Sequence, residues 1–157
     1  MIKKIISIIF VSQLFLSCGF TPALKNLDNQ NNTLVYYEIN PLTSVIARQI
    51  LDSELQTTNK DKAKFLIKIN VIENESAVNV KSSGSVDEYR IEVLIQFEIF
   101  YIENNIMLIA SQSRGFENYD VSSSEYTNSL IYKESLERAL VEAIQLMNII
   151  IQSKITE

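Results

Sequence analysis

Apolar and polar positions alternate most regularly in the middle of the chain, and this alternation predicts β-strands. Because successive side chains of a strand point to opposite faces, a period of two indicates a strand with one buried face. The clearest example covers residues 89–101, with Arg90 and Glu92 on its polar side. Its apolar face comprises Tyr89, Ile91, Val93, Ile95, Phe97, Ile99 and Tyr101. Weaker alternation predicts further strands over residues 63–71 and 106–119.

Turn-forming residues separate these strands and predict hairpins. Ser83-Gly84-Ser85 suits the first hairpin turn, and Asn104-Asn105 suits a two-residue turn because asparagine tolerates positive φ. The apolar positions change parity between Val71 and Val78. This change predicts a β-bulge or a break around residues 73–76.

Helical periodicity predicts one helix on each side of the strands. Asn40 can cap the first helix, with Pro41 at its first position and an end near residues 57–59. Ser122 and Glu125 fit a capping box at the start of the second helix. The predicted apolar stripes are Leu42, Val45, Ile46, Ile50 and Leu55 in the first helix, and Leu136, Ala139, Leu140, Ala143, Met147 and Ile150 in the second.

A β-branched and aromatic run at residues 34–39 adds a strand before the first helix. The predicted order is therefore β-α-β-β-β-α. We expect an α+β fold in which two helices pack on one face of a four-stranded, largely antiparallel sheet. This domain would occupy residues 34–157.

The N-terminus has the pattern of a secretion signal. Lys3 and Lys4 precede a mostly apolar run at residues 5–16, and Ser17 and Cys18 follow. The run is too short to cross a bilayer core of about 30 Å, which needs about 20 residues, but it suits a signal peptide. We predict that residues 1–17 are a lipoprotein signal. The alternative is a buried N-terminal helix with an ordinary core cysteine.

Cleavage at this point would make Cys18 the first residue of the mature chain. Its thiol would carry a diacylglycerol and its amino group an N-acyl chain, and several acyl chains anchor firmly where one is marginal. Residues 18–33, which are polar and rich in asparagine, would be the lipidated N-terminus and a tether.

Composition narrows the classes of function. The net charge is −5 at pH 7, and loss of Lys3 and Lys4 with the signal would make it −7, which disfavours broad nucleic-acid binding. The chain has no histidine and one cysteine, which excludes histidine-based triads, histidine metal sites and an intrachain disulfide. Its three glycines form no phosphate-binding loop.

We therefore expect a protein that is not an enzyme and that holds no metal and no cofactor beyond the acyl groups on Cys18. The carboxylate pairs Glu73/Glu75 and Glu134/Glu137 could be proposed as acid–base pairs. Solvated charges in a turn or on a helix face explain both pairs better.

Four stretches of the mature chain together resemble a known family. They are residues 18–22 (CGFTP), the hairpin around Gly84 continuing into residues 88–90, residues 118–126, and residues 133–143 with Arg138-Ala139. They follow Leu14-Phe15-Leu16-Ser17-Cys18, which resembles a lipobox. In this order and combination the chain resembles the LPS-assembly lipoprotein family, LptE, and is most similar to its alphaproteobacterial branch.

The resemblance implies a lipid-anchored protein at the periplasmic face of the outer membrane. Members of the family plug and help assemble a large β-barrel, LptD, and take part in lipopolysaccharide transport to the outer leaflet. The implied partners are this barrel, lipopolysaccharide and the outer membrane, without nucleic acid. The alternative is an accessory lipoprotein of another envelope assembly machine. An envelope enzyme is a third class, which the absence of histidine disfavours.

Lipopolysaccharide carries phosphates, which Arg and Lys bind by charge-assisted hydrogen bonds. The candidates are Arg90, Arg114, Lys133 and Arg138, and the alternative is that each is an ordinary solvated charge. Arg90 stands out because it lies on the polar side of the best predicted strand, near the Gly84 hairpin.

Overall fold

The computed structural model describes residues 34–155, which form one sheet and two α-helices. The signal peptide, Cys18 and the tether predicted for residues 1–33 lie outside the described residues. The strands are β1 (Val35–Ile39), β2 (Phe65–Val80), β3 (Val86–Tyr101) and β4 (Ile106–Asp120). The α-helices are α1 (Val45–Glu54) and α2 (Glu125–Ile155), and a short 3-10 helix covers Lys60–Lys62.

The four strands lie in the order β1-β2-β3-β4. β1 runs parallel to β2, while β2, β3 and β4 form an antiparallel meander. The parallel pair is possible because α1 provides the crossover between its two strands. Both helices pack on the same face of the sheet, so the predicted α+β fold and its element order are confirmed.

The core lies between the sheet and the helices, and β3 supplies its centre. Five residues of β3 at alternate positions are at most 2% exposed, as the alternation of the sequence predicts. They meet buried residues of β2 and of both helices. The buried residues of β3 are Ile91, Val93, Ile95, Phe97 and Ile99, and those of α2 include Leu136, Ala139, Leu140, Ala143, Ile144, Met147 and Ile151.

Helix α2 approaches strand β4 very closely at Gly115. A Cβ atom at Gly115 would overlap the carbonyl oxygen of Ala139 and lie 2.9 Å from the backbone nitrogen of Ala143. The two alanines on the helix and the glycine on the strand therefore let the two backbones meet. At the same place Glu142 accepts a hydrogen bond from the backbone N–H of Phe116, at 3.0 Å.

Helix α1 begins later than predicted. Its N-cap is Ser44, whose Oγ accepts from the backbone N–H of Ala47 at 3.1 Å. Asn40 instead closes a turn through Pro41 by accepting from the N–H of Leu42, so the predicted start is wrong. The predicted stripe is confirmed at Ile46, Ile50 and Leu55, which belong to the core or pack against it, and is wrong at Leu42 and Val45. Leu42 and Val45 are 91% and 73% exposed, and the buried residues of this segment are Ala47, Leu51 and Leu55. The helix also ends earlier, at Glu54.

Two details of the sheet also differ from the prediction. The irregularity in β2 lies at Ala77–Val80 and not at residues 73–76, because the pairing with β3 holds without a shift as far as Ala77. The second hairpin has a four-residue loop, since Tyr101 pairs with Ile106. Asn105 has φ 54° in this loop, as expected for its turn role, and Gly84 has φ 86° in the first hairpin.

The start of α2 uses different caps from the predicted capping box. Ser124, not Ser122, accepts from a helical N–H, that of Thr127 at 3.3 Å. Asn128, rather than Glu125, reaches back: its side chain accepts from the N–H of Ser122 and donates to the carbonyl of Ser122. In the described part of the chain, neither helix combines the length and the apolar character needed to cross a membrane.

The close approach at Gly115 predicts that Gly115→Ala is strongly destabilising. The added methyl group meets backbone atoms, which cannot rotate away, so we expect a loss of about 1–3 kcal/mol or more in the free energy of unfolding. Urea denaturation followed by circular dichroism measures this loss. Ser113→Ala is the matched control, because Ser113 is buried two residues earlier on the same strand and its hydroxyl has no partner among the described residues. Equal stability of the two variants would contradict the close approach.

The half-buried Tyr37 predicts a loss of stability in alkali. Burial raises its pKa to about 12, from an ordinary value of about 10. Its contribution to folding is therefore fully present below about pH 10 and is lost as the pH rises through about 12. We expect Tyr37→Phe to reduce the slope of unfolding free energy against pH in this window. An unchanged slope, measured by denaturation from pH 9 to pH 12, would contradict this assignment.

Candidate functional site

The candidate site is the face of the sheet that points away from the helices, here called the open face. No helix of residues 34–155 covers it. Residues paired across neighbouring strands lie on the same face, so the register assigns its members. They include Glu38 on β1, Lys68, Asn70 and Ile72 on β2, Arg90, Glu92, Leu94, Gln96 and Glu98 on β3, and Gln112, Arg114, Phe116 and Asn118 on β4.

A row of amide side chains crosses the open face. Asn40 donates from Nδ2 to Oδ1 of Asn70 at 2.8 Å, and Asn70 donates from Nδ2 to Oε1 of Gln96 at 3.1 Å. Gln112 lies opposite Gln96 on β4. The row lines a shallow depression of about 770 Å³, whose rim includes the charged residues Glu38, Lys68 and Glu98.

Toward the Gly84 hairpin the open face becomes a network of charges and amides. Arg90 donates from Nε to Oδ1 of Asn118 at 2.8 Å, and Asn118 donates onward to Glu88 at 2.9 Å. The Arg90 guanidinium also lies over the Phe116 ring, 5.3 Å from its centroid. This contact is a cation–π interaction, which fixes the plane of the guanidinium.

The four candidate cations do not form one surface. Arg90 and Arg114 share the open face, whereas Lys133 and Arg138 belong to α2 on the other layer. Arg114 forms an ion pair with Glu92, and Arg138 forms one with Glu117, each at 2.9 Å. Exposed pairs of this kind contribute about 0–1 kcal/mol to stability, but each occupies a cation that a phosphate would otherwise bind.

The paired carboxylates Glu73 and Glu75 have structural partners on the opposite, helix-bearing side of the sheet. Glu73 accepts from the hydroxyl of Ser44 at 2.6 Å, which ties β2 to the cap of α1. Glu75 accepts from the hydroxyl of Tyr119. Burial, followed by this hydrogen bond, raises the pKa of Tyr119. These contacts account for both carboxylates without an acid–base role.

The chemistry available on the open face is that of binding. Amides donate and accept in fixed directions, and the rim adds both signs of charge, which suits a polar partner or a polar ligand. Among residues 34–155 no group of acidic or cysteine side chains is arranged to hold a metal ion.

Sequence reasoning identified Arg90 and the polar side of β3 but missed the amide row and the partner of Arg90. The row joins residues far apart in the chain, from Asn40 to Gln112, so no local motif reveals it. The available signal is that Lys68, Asn70, Gln96 and Glu98 all occupy the polar parity of their strands.

The fold is similar to that of several solved lipoproteins. A Caulobacter crescentus protein described as a lipoprotein matches with a TM-score of 0.57 at 14% identity, covering 75% of this chain and 87% of its own. A minor lipoprotein from Acinetobacter baumannii matches with a TM-score of 0.54 at 12% identity, covering 74% of this chain and 87% of its own. Lipoprotein B from Nitrosomonas europaea matches with a TM-score of 0.50 at 18% identity, covering 74% of this chain and 89% of its own. No family model and no curated protein matches the sequence. At these identities the likeness is one of fold.

Proposed function

We propose that this protein is an outer-membrane lipoprotein, anchored through Cys18, that plugs an LptD-type β-barrel. In this role it helps the barrel to assemble and takes part in delivering lipopolysaccharide to the outer leaflet. The observation that carries the proposal is the set of amide and charged side chains on the open face, which lie on all four strands among apolar side chains such as Ile72, Leu94 and Phe116.

A plug inside a barrel needs a polar contact surface, because the interiors of outer-membrane barrels are polar. The open face meets this need with the amide row from Asn40 to Gln96 and with the Arg90–Asn118–Glu88 network. Side chains of a rigid sheet also lose little freedom on binding, which favours association. The helix layer, by contrast, buries the apolar face of the same strands.

The similar solved proteins add support from another direction. Each of the three is described as a lipoprotein, and this chain carries a lipobox-like segment that ends at Cys18. A shared fold together with a lipidation signal favours the same kind of anchoring.

Site-specific photocrosslinking tests the contact with the barrel. A photoreactive amino acid replaces Gln112, on the open face, in the full chain expressed in its own membrane. We expect a crosslink to a large β-barrel, identified by mass spectrometry after solubilisation of the outer membrane. The matched control is the same replacement at Gln145, which is exposed on α2 and should crosslink far less.

Two outcomes would contradict the proposal. Equal crosslinking from Gln112 and Gln145 would show that the open face is not the contact surface. A crosslink from Gln112 to components of a different envelope machine would favour the alternative of an accessory lipoprotein for that machine.

Arg90 is the cation that we propose for lipopolysaccharide phosphate. Only its Nε has a hydrogen-bond partner within the described residues, so its terminal nitrogens remain for a phosphate. We expect Arg90→Glu to weaken binding of purified lipopolysaccharide about tenfold, as the loss of one charge-assisted hydrogen bond would. Titration calorimetry measures the change.

The comparison variant is Arg138→Gln, which removes a cation from the other layer that already pairs with Glu117. We expect a smaller loss in this variant. Unchanged binding in Arg90→Glu would remove Arg90 from the proposed site.

A further inference from the structure

One end of the sheet is the place where the chain preceding the described residues enters the domain. Val35 pairs with Phe65, Phe65 with Tyr101, and Tyr101 with Ile106, so these four residues form the last row of the sheet. We call this end, with its loops at residues 57–64 and 102–105, the entry end. Backbone hydrogen bonds from Lys64 to Leu34 and from Ile102 to Lys64 hold its segments together.

The entry end exposes a cluster of large apolar side chains. Ile102, Ile106, Met107 and Leu108 are 37%, 54%, 52% and 46% exposed. They lie within seven residues around the loop at residues 102–105, with Ile106 and Met107 on opposite faces of β4. Large apolar side chains exposed together at one end of a domain indicate a surface that contacts an apolar environment.

Three lysines lie at the same end. Lys60 and Lys62 belong to the short 3-10 helix, and Lys64 lies just before β2. All three are exposed, and Lys64 is bonded through its backbone to Ile102 of the apolar cluster. Asp61 and Glu103 are the acids of these two loops, which therefore carry a net charge of +1 although the chain as a whole carries −5; Asp52 and Glu54 lie on the last turn of α1, just before the first loop.

We propose that the entry end docks on the surface of a lipid bilayer that contains anionic headgroups. The apolar cluster enters the interface between headgroups and acyl chains, and the lysines contact lipid phosphates, as in other interfacial attachments. The inference rests on the proposed anchor, because the chain that leads back to Cys18 leaves the domain at Leu34. A bilayer is the occupant because three features coincide here: the anchored chain, the exposed apolar side chains and the three exposed lysines.

Depth-dependent fluorescence quenching tests this docking. The lipidated protein is reconstituted in vesicles of phosphatidylcholine and phosphatidylglycerol, part of which carries a nitroxide near the headgroup. Leu108→Cys receives a thiol-reactive fluorophore. The diacylglycerol on the Cys18 sulfur blocks that thiol, so the label is site-specific. Ser83→Cys, in the hairpin at the opposite end of the sheet, is the matched control.

We expect the label at position 108 to be quenched at least about threefold more than the label at position 83, as insertion at the interface requires. In the Leu108→Cys background, Lys60→Glu with Lys62→Glu should reduce this quenching toward the control level. Lys81→Glu, beside the hairpin at the opposite end of the sheet, should leave the quenching unchanged.

The remaining outcomes separate the docking from the anchor. Equal, weak quenching at both positions in a protein that still floats with the vesicles would overturn the docking and leave the anchor standing. In the unlabelled Leu108→Cys protein, a disulfide between two copies on mild oxidation would indicate a second copy of the chain as the occupant and would likewise overturn the docking. A protein that does not float with the vesicles would overturn the anchor and the docking together.

Discussion

The contact between the α2 backbone and strand β4 at Gly115 is the constraint on which the rest of the domain depends. Because glycine lacks a Cβ, the helix lies close enough for the carbonyl of Ala139 to face the strand directly. The short distance brings Glu142 to the backbone N–H of Phe116 and Arg138 to Glu117. A carboxylate on the outer backbone of an edge strand also discourages the addition of a further strand from another chain.

This helix–strand contact divides the sheet into two faces with different tasks. The covered face contains the core. There the residues of β3 that point toward α2 are at most 2% exposed to solvent. The open face exposes amides and charges, which bond to one another across the strands. The hydrogen bonds among Asn40, Asn70 and Gln96 hold those side chains in fixed directions.

Strand β3 and helix α2 were predictable because their burial repeats with the period of their own backbone. The start of α1 was not, because Asn40 and Ser44 are both good caps by local rules. Oδ1 of Asn40 accepts from Leu42 in a turn, whereas Ser44 caps the helix and bonds to Glu73, twenty-nine residues away. The side-chain partners on the open face could not be predicted for a related reason. A two-residue turn at Asn104-Asn105 would place Arg90 opposite Tyr119, whereas the four-residue loop and the irregularity at Ile99/Phe100 place it opposite Asn118. Side-chain partners across strands depend on register, and a shift of one residue moves a side chain to the other face.

The length of the paired strands has a mechanical consequence. Strands of 16 residues, as β2 and β3 are, extend about 50 Å at about 3.3 Å per residue. A bilayer core is about 30 Å thick, so the β2–β3 meander is longer than the membrane is deep. If the proposed anchor holds the entry end at a membrane surface, the length of the strands sets the distance of the Gly84 hairpin from that surface. Each residue inserted into or deleted from both strands would therefore change this distance by about 3.3 Å.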